Sequence, residues 1–555
     1  MEISRRSFLM GGAVLGGSAI TATMMTACSP KKEGATTNAN VPAGTTMEDF
    51  AQSVVELDPI KSFKEEKTYD IVVVGAGTAG VPAVYSALEE GASVACLQKA
   101  SQVLANGNGS AGIVLEESNE IGKLQYMQAW RKAGGYRNNQ HLLQSFVNHS
   151  GETMMWMLKK SQEVDYLPYS ISATKNTYDE GSYCTAVLKS YGPKPENHQT
   201  IMTKLADAAA AKGAEFFYKT PAVQLIKNSE GKITGVVGKS SEGYIKFNAN
   251  KAVIIAAGDY QSNNSMVDRW SPGITRFGRK QSERTGDGIL MSMAAGAVMT
   301  PVNHAKTMHD MDAAPFMLTS YPFMALDEKG ERFMNEEVPM ESWDMTLNFR
   351  DKSIEDPGRF VRVFDNDFVA KYNVKAVSIS TLENYIPGFK ENPENVFTGL
   401  TDTHRADTLD ELATQLDVPA DALKKSVAAW NEHCALGADS EFGVSLKNLK
   451  PIDTPPYWGV RQWIRCSAIN SGVVVDEYYR VLDGEGNVIP GLYSVGSGAG
   501  DICGGLEWNL AQGGLCCGSY MDMGRYAAIH AITGDTKPLS PATYEETNQY
   551  WAKKK

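Results

Sequence analysis

Apolar residues in this chain come in two textures, continuous runs and helically spaced sets, and their order predicts an architecture. Tyr69-Asp70-Ile71-Val72-Val73-Val74 is almost unbroken hydrophobicity, as in a strand buried on both faces. It runs into Gly75-Ala76-Gly77-Thr78-Ala79-Gly80, after which residues 81–90 carry apolar side chains at helical spacing. A second strand is predicted over residues 92–97, ending at Gln98-Lys99. Ala252-Val253-Ile254-Ile255-Ala256-Ala257 is a further apolar strand that stops at Gly258-Asp259. Thr285-Gly286-Asp287-Gly288 opens a helix rich in Met and Ala, and Ile489-Pro490-Gly491-Leu492-Tyr493-Ser494-Val495-Gly496 is a late strand ending in a glycine turn. Buried strands alternating with helices predict an α/β fold around a parallel sheet.

The first segment has a different pattern. Ser4-Arg5-Arg6-Ser7-Phe8-Leu9 precedes an apolar stretch, residues 9–27, that is too rich in Gly and Thr for a membrane span. Paired arginines before such a stretch read as a twin-arginine export signal. Met25-Thr26-Ala27-Cys28 resembles a lipoprotein cleavage box, with Cys28 as the lipidated residue. Residues 29–66 are expected to be a flexible tether, because the start of that stretch is Ser/Thr/Ala/Gly/Asn-rich without periodicity. The expected location is the outer side of the cytoplasmic membrane, held only by the lipid anchor.

The glycine loop is informative because of its setting. Between strand and helix, Gly75 permits the tight turn, Gly77 lets a pyrophosphate approach the backbone, and Gly80 lets helix and strand pack closely. The positive end of the helix then stabilises phosphate charge. Gln98 stands where an acidic residue usually bonds the ribose hydroxyls, and its amide can do the same with less charge discrimination.

These segments, with Gly504-Gly505, Gly513-Gly514, Gly330-Glu331-Arg332-Phe333-Met334-Asn335-Glu336, Trp430-Asn431, Phe442-Gly443 and Pro455-Pro456-Tyr457, follow a recognisable order. Over residues 67–533 the chain resembles the flavoprotein subunits of fumarate reductase and succinate dehydrogenase. That family includes urocanate reductase, 3-ketosteroid dehydrogenases and the cardiac glycoside reductase of gut bacteria. The resemblance implies FAD, held in a Rossmann-like FAD-binding domain (residues 67–302 and 450–555) with an inserted α+β capping domain (residues 303–449). It implies cofactor contacts from Gly75, Gly77, Ala79, Gly80, Gln98, Lys99, Gly107, Ser110, Gly112, Val223, Ala257, Gly258, Asp259, Thr285, Gly286, Asp287, Gly496, Ser497, Gly513 and Gly514.

The same resemblance places the reaction between flavin and cap, where the chain departs from fumarate reductases. The loop in which those enzymes carry a proton-donating arginine reads Leu318-Thr319-Ser320-Tyr321-Pro322-Phe323, leaving Tyr321 as candidate donor. A His-His-Thr-Met-Gly-Gly run is replaced by Cys466-Ser467-Ala468-Ile469-Asn470-Ser471-Gly472, and an Asn-Arg pair by Leu506-Glu507-Trp508-Asn509. Losing charge-assisted clamps argues against fumarate or succinate, and Glu507 would repel a dicarboxylate. Trp508, Tyr321 and Phe323 suggest an apolar pocket for a flat or bulky molecule. His309, Arg461 and Arg465 remain to bind one carboxylate or polarise a carbonyl.

Composition narrows the partners. A net charge of -12 disfavours nucleic acid. The eight cysteines form no C-x-x-C pair and no haem attachment motif, so no metal site is expected and electrons must come from a separate cytochrome or flavoprotein. Reduction of an activated C=C bond in an enone, enoate or aromatic acrylate is the leading expectation. A 3-ketosteroid-type dehydrogenase and a non-catalytic flavin lipoprotein are the alternatives.

Overall fold

The structure is a computed structural model, and it describes residues 41–194, 196–315, 318, 320–375, 377–505 and 513–546. The twin arginines, Cys28, Glu507 and Trp508 lie outside these residues. No helix among the described residues is long and apolar enough to cross a membrane.

Seventeen strands form four sheets among the described residues. The central sheet has the order β16 (Arg480–Leu482), β17 (Val488–Ser494), β9 (Gly243–Ile255), β1 (Glu65–Val74), β2 (Val94–Leu97) and β6 (Glu215–Phe217). The β17–β9–β1–β2–β6 pairings are all parallel, as the unbroken apolar runs require. A hairpin-like extension, β7 (Ala222–Lys227) with β8 (Ile233–Ser240), joins antiparallel to β9. Ile71, Val72 and Val73 are fully buried between the helices Gly80–Glu89 and Leu515–Thr533 on one side and the rest of the main core.

Three smaller sheets surround this frame. β3 (Gly109–Val114), β5 (Tyr183–Ser190) and β4 (Ser170–Thr177) are antiparallel and pack on the long helix Gln140–Glu163. β10 (Lys306–His309) pairs with β15 (Arg465–Ile469). β11 (Met324–Leu326), β12 (Arg359–Asp365), β14 (Tyr457–Trp463) and β13 (Thr403–Ala406) make a four-stranded antiparallel sheet. Apolar residues leave this sheet on both faces: Val361 and Val363 join one cluster, whereas Phe364, Trp458 and Val460 join another. Because β14 pairs with β12 and β13, the chain leaves this sheet only after Trp463, later than the expected boundary at residue 450.

A second landmark resolves into structure. The Arg332 guanidinium bonds Glu336 at 2.7 and 3.0 Å and Asp439 at 2.9 and 3.2 Å, between the rings of Trp430 and Phe442. Burial depresses the Arg332 charge, but its two carboxylates more than offset this and hold the guanidinium charged, while Asp439 is held far below the ordinary carboxylate range.

The expected tether is shorter than the composition suggested. From Val41 the chain is docked: Phe50 is buried in the main core and Asp49, fully buried, takes Arg269 at 2.8 and 3.0 Å. Asn263 Nδ2 donates to the Asp49 carbonyl, the Val54 amide to Asp287, and the Glu56 amide to the Val223 carbonyl. Short polar side chains here serve as turn and cap formers, which a composition argument mistakes for looseness.

Candidate active site

The cofactor cradle is built by glycines that neighbouring backbone leaves no room to replace. Gly75 has φ +107°, and a Cβ on it would lie 2.5 Å from the Ala256 carbonyl. A Cβ on Gly80 would meet the Gly75 carbonyl at 1.8 Å, so strand and helix touch backbone to backbone. The helix Gly80–Glu89 has no side-chain cap at Ala79, and neither does the helix Leu515–Thr533 at Gly514. Such termini offer free amides and a positive dipole end to an anionic group. A Cβ on Gly107 would lie 2.5 Å from Cys517 Sγ, which brings the loop before β3 against the start of the C-terminal helix. Gly496, beside Ala79, and the buried Ser497 close the same region from β17.

The other expected cofactor residues divide by what they touch. Lys99 Nζ bonds Thr285 Oγ1 at 3.0 Å and Asp287 Oδ2 at 2.9 Å, and Asp287 also takes the Thr285 hydroxyl, forming one polar knot beside Gly286. Gln98 is turned inward and donates to the Ala76 carbonyl, so its amide nitrogen shapes the glycine loop. Asp259 is engaged by Arg284 at 2.6 Å and by Gln261, which leaves Ala257 and the left-handed Gly258 as the backbone that approaches the cradle. Gly112 is differently employed: a Cβ there would lie 2.4 Å from the Ser150 carbonyl, so its bareness admits the helix Gln140–Glu163. Ser110 follows the same alternation and sits opposite Lys189 in the β3–β5 register. The Val223 carbonyl is already taken by Glu56. Gly513 and Gly514 stand at the turn into the C-terminal helix, whose first residue is Leu515.

Two of the four expected catalytic residues come together. His309 and Arg465 are directly opposite in the β10–β15 ladder. Lys280 Nζ lies 3.3 Å from His309 Nδ1 and 3.5 Å from Asp312, and Lys194 reaches the other Asp312 oxygen at 3.2 Å. Asp310 is tied down by the amides of Asp312, Ala313 and Trp463. The Arg465 guanidinium rests 4.1 Å from the centre of the Trp463 ring, and its buried Nε has no hydrogen-bond partner.

The electrostatics follow from this crowding. Burial, then the charges of Lys280, Arg465 and Lys194, push His309 well below its ordinary value, so the ring is neutral at pH 7. An ammonium donating to Nδ1 fixes the proton on Nε2, which makes that nitrogen a donor. Burial lowers Lys280, and Arg465 adds to the effect against Asp312 and Asp310. For Asp312 burial acts upward, but Lys280 and Lys194 outweigh it and hold the carboxylate low. Three cations thus face two carboxylates, and one arginine nitrogen still lacks an acceptor.

Other expectations are corrected. Arg461 lies on β14 and is spent on Asp402 at 3.0 Å. Phe323 is fully buried among Phe364, Phe368 and Tyr372, so it packs the sheet and lines no pocket. Tyr321 stacks on Phe323 with centroids 5.9 Å apart, and its carbonyl accepts from Arg362, a setting that accounts for the ring by packing. Sequence reading missed Lys280, Lys194 and Asp312. Lys280 carried a usable signal, since Arg279-Lys280 is a charged pair shortly before the Thr285-Gly286-Asp287-Gly288 turn.

Residues 70–516 match the family described as FAD binding domain. The chain belongs to that family. This flavoprotein is an oxidoreductase with FAD as its cofactor, and the glycine cradle and uncapped helix ends fit that group. It is 24% identical over 494 residues to the vinyl phenol reductase of Lactiplantibacillus plantarum, covering 84% of this chain and 96% of that one. It is 24% identical to the digoxin reductase of Eggerthella lenta, covering 91% and 92%. Among solved structures, the open conformation of a flavocytochrome c3 fumarate reductase superposes with a TM-score of 0.65 at 20% identity, covering 85% of this chain and 79% of that one, which shows a shared fold.

Proposed function

We propose that the flavoprotein reduces a carbon–carbon double bond conjugated to an oxygen-bearing group, in an enone, enoate or aromatic acrylate. The observation that carries this reading is the buried Arg465 Nε without an acceptor, beside a neutral His309 and a Lys280 whose pKa is lowered by burial. Relatives named for vinyl phenol and digoxin reduction fit the same bond class.

Bound FAD supplies a hydride. The chain then has to stabilise the negative charge that moves onto the substrate oxygen, and the buried Arg465 guanidinium offers donors fixed in advance. Because these donors stay buried, they need little reorganisation as the charge develops. Lys280 holds His309 in the donor tautomer and makes the imidazole more ready to release its proton. With Asp312 and Asp310 already committed, the site has room for one anionic or strongly polarised oxygen rather than two carboxylates.

The electron donor is read as a separate cytochrome or flavoprotein, and the location as the outer face of the cytoplasmic membrane; the Arg5-Arg6 motif and Cys28 support the latter. The test is anaerobic. The flavin is reduced with dithionite, and its absorbance is followed as steroid enones, cinnamates, urocanate and fumarate are added. Fast reoxidation by a mono-oxygenated or bulky acceptor with fumarate inert supports the reading. Reoxidation by fumarate, or by an artificial dye alone, overturns it.

A further inference from the structure

Asp259 and Arg284 bring an ion pair to the edge of the cofactor cradle. The Asp259 carboxylate is fully buried, and it accepts from Arg284 Nη1 at 2.6 Å and from the Gln261 side-chain amide at 3.2 and 3.4 Å. Gln261 is anchored in turn, donating to the Ser467 carbonyl and accepting from the Gln281 backbone amide. The arginine stem runs over the left-handed Gly258, where a Cβ would lie 3.5 Å from both Cδ and Nε. A guanidinium carries five N–H donors. Among the described residues Asp259 is the one acceptor bonded to this guanidinium, and the side chain is only 19% exposed, so most of the fork is neither paired nor out in solvent.

The surroundings of the fork name the part of the cofactor it serves. Gly258 stands two residues past Ala256, whose carbonyl would lie 2.5 Å from a Cβ on Gly75, in the loop whose bare backbone receives a pyrophosphate. Thr285, next in the chain to Arg284, is bonded by Lys99 at 3.0 Å just past the end of β2, where the ribose of a dinucleotide is read. On the other side lies Cys517, whose Sγ would be 2.5 Å from a Cβ on Gly107. Burial raises the Cys517 thiol to about 12, and the Arg284 charge acts against that rise. Burial also opposes the Arg284 charge itself, but Asp259 outweighs it and the guanidinium stays charged.

We infer that Arg284 binds the diphosphate of FAD, with Asp259 aiming its fork. Glycine amides and helix ends offer an anion only partial charges, whereas Arg284 adds a full one with planar, paired donors that match phosphate oxygens. Asp259 does not repel the same group, because its carboxylate is turned inward and is taken up by Arg284 and Gln261. The diphosphate carries its charge whether the flavin is oxidised or reduced. Arg284 therefore holds the cofactor in both states and leaves its redox potential alone.

Wild-type, R284M, R284K and D259N holoenzymes are compared in two measurements: the rate at which FAD leaves on dilution, followed by free-flavin fluorescence, and the midpoint potential of the bound flavin. R284M should release FAD about 10-fold to 100-fold faster than wild type. R284K should fall between them, since a charge without the fork remains. D259N should stay closest to wild type, because Arg284 keeps its charge, and the midpoint potential should be the same in all four. Equal release from R284M and D259N would reduce the pair to a brace for the turn at Gly258 and overturn the assignment. Unchanged release from R284M overturns it too, as does a lowered midpoint potential, which would move the contact to the isoalloxazine. Where R284M fails to fold, R284K must still release FAD faster than D259N for the assignment to stand.

Discussion

Two clusters of buried charge in this molecule are made of the same kinds of residue and are finished differently. Around Arg332, each hydrogen-bonding edge of the guanidinium meets a carboxylate, and Trp430 and Phe442 seal its faces. Around His309, three cations share two carboxylates, and the Arg465 Nε remains unmet. The first cluster is closed and holds chain segments together. The second is open and needs something from outside to complete it. Perturbed ionisation marks both, so it is the unfilled donor that separates binding from scaffolding.

The comparison breaks if the closed cluster is dispensable. R332M leaves Asp439 and Glu336 buried without their cation, and unfolding free energy should fall by about 3–5 kcal/mol in denaturant titration. A loss below about 1 kcal/mol would remove the closed cluster from the scaffold. R465M should do the reverse: substrate-driven reoxidation of the flavin should slow about 100-fold to 1,000-fold. Its melting temperature should stay close to wild type, because no native partner of Nε is lost.

Acid sharpens the comparison through histidines that belong to neither cluster. Burial holds His198 and His304 down at about 4, against an unfolded value near 6.5. As pH falls below about 6.5 the unfolded chain takes up protons first, so stability should drop until about pH 4, by about 3 kcal/mol for each residue. H198Q and H304Q should each flatten part of that limb, as measured by denaturant midpoints between pH 4 and 7.

The smallest effect concerns a charge with no cluster. Lys189 on β5 is fully buried, its amine has no partner, and burial alone holds it well below its ordinary value. It folds neutral and unfolds charged, so stability should rise with pH from 7 towards 10. K189M should abolish that rise and add about 1 kcal/mol at pH 7, since methionine fills similar volume without a desolvation cost.

The sequence made the parallel sheet legible because its evidence is local. A run such as Ile71-Val72-Val73-Val74 followed by glycines states both the strand and the turn in a few residues. The open cluster is assembled by three distant stretches, with Lys280, Lys194 and the β10–β15 pair converging on Asp312. No periodicity encodes such a meeting. Phe323 and Arg461 misled for the same reason, since residue type suggested chemistry while pairing partners decided packing. Gly112 was read as a cofactor contact because a glycine required by a ligand and one required by a helix look alike in sequence.

The docked segment that begins at Val41 carries a consequence for timing. Asp49 waits for Arg269, 220 residues further on, and the Val54 amide for Asp287, 233 residues further on. During synthesis, that leading segment has neither of these partners until nearly half of the chain has been made. Contacts of such separation close late, after the sheet that presents them exists. The beginning of this chain is therefore among the last parts to reach its place, and its arrival reports that the middle has already folded.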